Sequence, residues 1–236
     1  GSAMPQAFES EAPVSGVQLA RDLMDEVLSK PFDDPSESDG ETVGAAQLAL
    51  ADLSPLPRIG FKGKNAINWL IGQGIRGLQS DNAVDLQYDG VRAARLAPTE
   101  GLVLGDLEAK SGTCARLAEA WSLESAPLCF LVPRADSHYW FAVTGTRAAE
   151  MFAKVCGVDL RPDRFAVGAI AQTSVARNNA IIIRRDLGRT LAYDVLGDSA
   201  SADYMWRCLL DAMAEFGGKP ALEFNLWGQH GVLYQR

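Results

Sequence analysis

Few residues in this chain have the types and spacing that organise catalysis. The two histidines, His138 and His230, lie far apart, and neither has a Cys, a His or a carboxylate at a spacing typical of metal ligands. His138 follows Asp136 and could act as a general base, although a polar turn before a strand explains it as well. No G-x-S-x-G nucleophile motif is present. The sequence therefore predicts no metal site, and no motif in it identifies a catalytic nucleophile.

A glycine-rich run at residues 72–77 matches G-x-G-x-x-G, the pattern of dinucleotide-binding turns. Such a turn joins a strand to a following helix, so that the helix N-terminus faces the pyrophosphate. Here the run follows a helical pattern and leads into polar residues 79–82. We therefore expect these glycines to end a helix and form a loop.

Basic residues around a predicted hairpin are candidates for contact with an anion or an acidic partner. They are Arg177, Arg184, Arg185 and Arg189. The alternative is that nearby Asp186 and Asp194 neutralise them as ordinary surface charges. We predict that Arg177 and Arg184 of this group contact a partner or an anion.

Apolar side chains near both ends of the chain are further candidates for partner contact. Phe224 and Trp227 follow the last predicted helix, and large aromatics there must pack back or enter an interface. Leu23 belongs to an amphipathic helix predicted over residues 16–29, which is too short to be stable without a surface to dock on. That surface could be its own domain or a partner.

Composition and charge exclude several classes of protein. Residues 1–51 contain ten acidic and two basic side chains, so this segment accounts for the whole net charge of −8. A neutral body with an acidic arm has no basic surface for nucleic acid. No apolar stretch approaches the roughly 20 residues that cross a bilayer, and the start lacks the order of a secretory signal. With four dispersed cysteines, we expect free thiols in a cytoplasmic protein without membrane contact.

Three units of strand, glycine-containing turn and amphipathic helix follow from residue 52 onward. They begin at Arg58, Tyr139 and Leu191, and further strands are predicted between them, including 167–175 and 180–185 with a turn at Asn178-Asn179. Sequential strands with short turns favour an α+β fold, with antiparallel or mixed sheets and helices on one side.

The predicted organisation has three parts. Residues 1–51 form an acidic arm, in which 1–13 and 31–46 have the composition of mobile segments. Residues 52–216 form the body, with a possible break between two subdomains near 124–137. Residues 217–236 form a C-terminal tail.

Several runs resemble the gamma subunit of heterotetrameric sarcosine oxidase. Residues 144–165 carry a G-x-R-A turn, then A-K-x-C and D-L-x-P, and residues 171–177 match an A-Q-T-x-x-A-R strand. Residues 199–212 are similar to an S-x-A-x-Y-x-W-x-x-L-x-D-A helix. Residues 96–105 resemble the L-G-P-x-E-W-L-V-x-G segment, with Gly101 in place of the usual Trp.

The resemblance implies an aminomethyltransferase-like, folate-binding fold that has lost its catalytic role. It implies alpha and beta partner subunits that hold FAD, FMN, NAD and tetrahydrofolate, and a delta subunit that holds zinc. The complex would demethylate sarcosine or a related N-methyl amine. The alternatives are a general scaffold, or a stand-alone folate-binding protein or folate-dependent aminomethyltransferase. The latter would need a pocket carboxylate such as Asp106 or Glu108.

Overall fold

The computed structural model describes residues 48–187 and 189–221. The predicted arm helix at 16–29 and the flanking segments 1–13 and 31–46 lie outside this part of the chain. Within it, no helix is both long and apolar enough to span a membrane.

Short strands and helices alternate along the described residues. The strands are β1 (Ala49–Asp52), β2 (Arg58–Lys62), β3 (Ala83–Leu86), β4 (Arg92–Ala97), β5 (Glu100–Leu104), β6 (Phe130–Val132), β7 (His138–Thr144), β8 (Ile170–Val175), β9 (Asn178–Arg184), β10 (Ala192–Asp198) and β11 (Lys219–Pro220). The helices are α1 (Ala66–Gly72), α2 (Thr113–Ala120), α3 (Arg134–Ser137), α4 (Ala148–Ala153) and α5 (Ala202–Ala214), and a 3₁₀ turn at Ser199–Ser201 precedes α5.

The strands form two sheets. Sheet A has the order β11-β1-β7-β10-β9-β8, and sheet B has the order β3-β4-β5-β2-β6. Within the described residues, every strand pair is antiparallel except β1 and β11, which are parallel. The predicted α+β class with antiparallel and mixed sheets is confirmed.

The alternation of side chains along β7 explains how the layers stack. Tyr139 and Phe141 face one side of sheet A, where they meet α4 and α5. Trp140 and Ala142 face the other side and pack against sheet B. A third core on the far side of sheet B contains residues of α1 and α2. The order is thus helices, sheet A, sheet B, helices, with α4 and α5 on the outer side of sheet A and α1 and α2 on the outer side of sheet B.

The C-terminus of α5 has the left-handed cap that its glycines predict. Gly217 has φ +72, and the N–H of Gly218 donates to the carbonyl of Met213 at 3.1 Å. By contrast, the turn predicted at Asn178-Asn179 is wrong.

The chain reverses two residues earlier, where Ala176 and Arg177 have φ +47 and +69. Asn178 then pairs with Val175 as the first residue of β9. This register places Ala180 on the helix-facing side of sheet A, and a one-residue slip would turn it outward. Packing of the following strand therefore overrides the turn preference of asparagine.

The sheets cut across the predicted domain boundaries. β1 begins at Ala49, so the boundary at residues 51 and 52 falls inside a strand, and β11 from the predicted tail pairs with it. The chain passes from sheet B to sheet A between Val132 and His138, within the predicted break. Both sheets nevertheless contribute to one shared core.

Candidate functional site

Sheet A opens at one end into a fork between β9 and β10. The two strands pair from Arg184 with Tyr193 as far as Ile181 with Leu196. Beyond that point β10 continues along β7, while β9 continues along β8. The opening is a groove of about 560 Å³ that we call the fork groove; it is lined by residues 172–174, 179–181 and 196–198 and by His138.

A glycine keeps β10 close to β7 at the fork. A Cβ at Gly197 would collide with the ring and hydroxyl of Tyr139, which is its partner across the strands. Any other residue here would push the two strands apart. Gly197 therefore holds one wall of the fork groove in place.

His138 is held in one tautomer at the rim of the groove. Its Nδ1 lies 2.9 Å from the hydroxyl oxygen of Ser137 and 3.4 Å from Nη1 of Arg134. A guanidinium has no acceptor, so Nδ1 accepts and Nε2 carries the proton. Burial, followed by the charges of Arg134 and Arg58, lowers the pKa of His138, and Asp198 and Glu100 oppose this only in part. The imidazole is therefore neutral at neutral pH.

Arg58 fixes the backbone beneath His138. Its guanidinium lies 5.8 Å above the Trp140 ring and donates to four backbone carbonyls. The carbonyls belong to Ser54, Leu56, Ala135 and His138. Burial lowers the pKa of Arg58 to about 10, although Asp52 and Asp136 raise it. The side chain remains charged and ties the β1–β2 loop to the start of β7.

A buried ionic network joins the two sheets behind the groove. Asp194 on β10 is fully buried and accepts from Arg92 at 2.6 Å, Arg185 at 2.8 Å and Trp140 Nε1 at 2.8 Å. Burial raises the pKa of Asp194, but the two guanidiniums outweigh burial and hold that pKa below its usual range. Burial, together with Arg92, lowers the pKa of Arg185 to about 9. Arg92 belongs to sheet B, so the network is a structural bridge.

Three of the four arginines expected near the hairpin, Arg177, Arg184 and Arg185, have separate surroundings, and the fourth, Arg189, is exposed. Arg177 is exposed in the turn, beside a second depression of about 550 Å³ that Cys156 and Tyr204 also line. Arg184 lies at the far end of β9 and is bound to Asp186 at 2.8 Å. Arg185 belongs to the buried network rather than to the surface. A partner or anion contact through Arg177 or Arg184 stays a prediction.

The remaining candidate contact residues lie outside the described part of the chain. They are Leu23, Phe224 and Trp227. Their contact roles also stay predictions.

The carboxylates that a folate enzyme would need are already engaged. Asp106 is buried and accepts from the backbone N–H groups of Lys110 at 2.9 Å and Ser111 at 3.0 Å. Glu108 lies on the surface in an ion pair with Lys110. Asp106 therefore shapes a loop, and neither side chain is a free acid in a pocket.

The glycine-rich run forms the loop that its context predicts. α1 ends at Gly72, and Gly74 and Gly77 adopt φ +91 and +84 on the way to β3. No helix begins there to face a phosphate.

The four cysteines are free thiols, as expected. Burial raises the pKa of Cys114 to about 12 and that of Cys129 to about 11, so these two stay protonated. Among the described residues, no group of three His, Cys, Asp or Glu side chains has a metal-binding arrangement.

Sequence reasoning missed the buried arginines Arg58 and Arg92. The available signal was their position in otherwise apolar strand segments, since a charge on a buried strand needs a specific partner. The partners come from distant parts of the chain and could not be named from sequence.

The structure thus defines an α+β protein of two packed sheets with helices outside. No family model matches the sequence, and no curated protein matches it either. The fold is similar to a chain of heterotetrameric sarcosine oxidase from Corynebacterium sp. U-96 in complex with pyrrole 2-carboxylate, with a TM-score of 0.62 and 18% identity. That match covers 87% of this chain and 96% of the other.

A second similar structure is the glycine cleavage system aminomethyltransferase T from Bartonella henselae, with a TM-score of 0.54 and 15% identity. The match covers 76% of this chain but only 49% of the aminomethyltransferase, so this chain spans about half its length. The fold that the sequence resemblance implied is therefore confirmed.

Proposed function

We propose that this chain is a non-catalytic accessory subunit of a multi-subunit, sarcosine-oxidase-like flavoenzyme. One observation carries the proposal: the fold matches 96% of one chain of a heterotetrameric enzyme. The match to an aminomethyltransferase extends over only 49% of that protein. A chain that matches a whole component of a hetero-oligomer is best explained as the corresponding component of a similar assembly.

The chemistry of the described residues supports an accessory role. His138 is the best placed base, but its ring contacts are a serine hydroxyl and a guanidinium, and neither supplies the orienting carboxylate of a catalytic triad. Asp106 is committed to backbone hydrogen bonds. Ser137 and His138 are in contact, but among the described residues no carboxylate is hydrogen-bonded to the imidazole to orient it.

The expected partners are alpha, beta and delta subunits in the cytoplasm. In this proposal the partners hold FAD, FMN, NAD, tetrahydrofolate and zinc, and the assembly demethylates an N-methyl amine and transfers the one-carbon unit to tetrahydrofolate. The described residues lack the donor cluster that zinc needs. This chain would then hold none of these groups.

Exposed apolar side chains on the described surface support assembly. Leu123, Leu128 and Phe130 belong to one segment that ends in edge strand β6 and are each more than half exposed. Tyr88, after β3, is 97% exposed. Exposed apolar side chains of this kind are candidates for a surface that a partner covers.

Three measurements on the purified full chain test the proposal against a folate enzyme. We expect a colourless protein, and titration calorimetry with tetrahydrofolate should show no binding in the micromolar range. In capture experiments with the flavin-bearing subunits, Trp227→Ala should weaken binding more than tenfold without unfolding the chain, because buried aromatics dominate interfaces. Micromolar folate binding together with failure to capture those subunits would overturn the proposal.

A further inference from the structure

The fork groove has the form of a gap in a sheet, and each wall has one residue, Asn179 or Asp198, whose backbone groups face the gap without a strand partner among the described residues. The β8–β9 hairpin closes at Val175 and Asn178, so the ladder alternation directs the N–H and C=O of Asn178 toward β8. The same groups of Asn179 then point toward β10. Among the described residues no strand pairs with them, because β9 and β10 pair only as far as Ile181.

The opposite wall presents a matching backbone donor. The pairing of Ile181 with Leu196 and the alternation along β10 turn Gly197 toward Tyr139 of β7. The next residue, Asp198, therefore directs its backbone N–H into the gap. Two strand edges with unpaired groups face one another across the groove, as they would on either side of a missing strand.

The volume of the gap suits a short extended segment. A strand residue occupies roughly 3.3 Å along the chain, 4.8 Å between strands and 10 Å through the sheet, or about 160 Å³. The groove of about 560 Å³ therefore has room for about three residues. Ala180 and Leu196 are buried in its walls and would meet small or apolar side chains of the segment.

The charged residues of the fork groove determine which charge on an occupant would be favoured. Asp198 is exposed and negative, and no Lys or Arg is among the lining residues. Gln172, Thr173 and Ser174 are neutral, and neighbouring Arg134 is occupied by Glu100 at 3.0 Å. The acidic residues 1–51, with ten acidic and two basic side chains, have the wrong sign to fill it.

We propose that the fork groove binds an extended, positively charged polypeptide segment of a partner chain, which enters as an additional strand between β9 and β10. Backbone hydrogen bonds would supply the binding and Asp198 the charge preference, as in other cases of strand addition. The proposal goes beyond the accessory-subunit function, because it holds for any partner with such a segment.

The first test uses two blocked five-residue peptides and the full chain labelled for NMR. Both peptides have threonine at positions one and five and valine at position three; one has lysine and the other glutamate between them. The lysine peptide should shift the amide signals of Asn179 and Asp198 and bind at least tenfold more tightly than the glutamate peptide. Equal affinities, or shifts confined to other regions, would overturn the proposal.

Two variants separate the backbone contribution from the charge. Asn179→Pro removes the N–H that faces the gap but leaves the ladder to β8 intact, and should weaken lysine-peptide binding at least tenfold. Asp198→Asn keeps the hydrogen bond to the N–H of Ala200, and should reduce the preference for lysine to less than threefold. Asp203→Asn, outside the groove on α5, is the matched control and should change neither.

A photo-crosslinker at position 179 of the full chain identifies a competing occupant. Crosslinks to residues 222–236 of the same chain would show that the gap holds the protein's own tail, and would overturn the proposal. Crosslinks to the lysine peptide but not to the tail support it.

Discussion

Asp194 on β10 is a fully buried carboxylate that is bound by two buried arginines. It also receives an indole N–H. Removing the charge leaves Arg92 and Arg185 buried without a counter-ion, and breaking such a pair costs about 3–5 kcal/mol. We predict that Asp194→Asn lowers the free energy of unfolding by about this amount, as measured by urea denaturation.

The control for Asp194 is Asp159, which pairs with Arg161 on the surface. Asp159→Asn should leave the urea midpoint nearly unchanged.

The pH dependence of stability gives a second test of the Asp194 network, because the pKa of Asp194 lies below its usual value. The stability difference between wild type and Asp194→Asn should be full above about pH 4 and shrink as the pH falls through the lowered pKa. A difference that grows on acidification would contradict the network.

His138 allows a direct measurement at the rim of the fork groove. Since burial and two arginines lower its pKa, we predict that its ring signals titrate below the usual value of about 6.5 in NMR. Arg134→Met should move the midpoint upward, because it removes one nearby positive charge. His138→Gln assigns the signal against His230. Titration at or above 6.5 would show that the imidazole is not held as described.

At the scale of single residues, the sequence indicated His138 but not its surroundings. Asp136, two residues earlier, suggested a base with a carboxylate, whereas the ring contacts Ser137 and Arg134. Arg58, which bonds the carbonyl of His138, lies 80 positions earlier in the chain. Contacts that depend on which strands become neighbours could not be read from local spacing.

Among the elements, the β8–β9 hairpin stores local strain that can be removed. Ala176 and Arg177 both have positive φ, which two-residue hairpins reserve for asparagine and glycine. We predict that the double change Ala176→Asn, Arg177→Gly stabilises the chain by about 1 kcal/mol. Thermal unfolding measures the gain, and Thr173→Ser on the adjacent strand is a control. A lower melting temperature would contradict the assigned turn.

The contact between β5 and α1 explains one departure from the sequence pattern. A Cβ at Gly101 would lie 2.5 Å from Cδ1 of Leu70, which is fully buried. The Trp of the resembling segment therefore has no room in this chain. We predict that Gly101→Trp lowers the free energy of unfolding by about 3 kcal/mol or more. Chemical denaturation measures this change, and an unchanged midpoint would show that α1 does not cover β5.

Strands and helices with regularly spaced apolar residues were predictable from the sequence. The turns that connect them were less predictable. The strand, turn and helix units at Arg58, Tyr139 and Leu191 are all present, because each buries one face at regular spacing. The hairpin turn was placed two residues late because asparagine favours turns, but the core needed it in β9. The strand register that buries Ala180 therefore outweighs the preference of asparagine for turns.

At the scale of the whole molecule, neither the layer order nor the fork follows from local patterns. Sheet A combines β1 from the start of the body with β7–β11 from its second half. That arrangement depends on pairings between distant segments, which alternation alone does not specify. The α+β class was predictable because sequential strands with short turns dominate the chain.

Native mass spectrometry of the full chain, affinity-purified from its source cells, tests the proposed accessory-subunit function most directly. We expect one copy of this chain in a fixed stoichiometry with larger, flavin-bearing chains, in a complex that oxidises an N-methyl amine. The isolated chain should show no such activity. Recovery of the chain only as a monomer or homo-oligomer, with folate-dependent aminomethyl transfer by the chain itself, would rule out an accessory subunit.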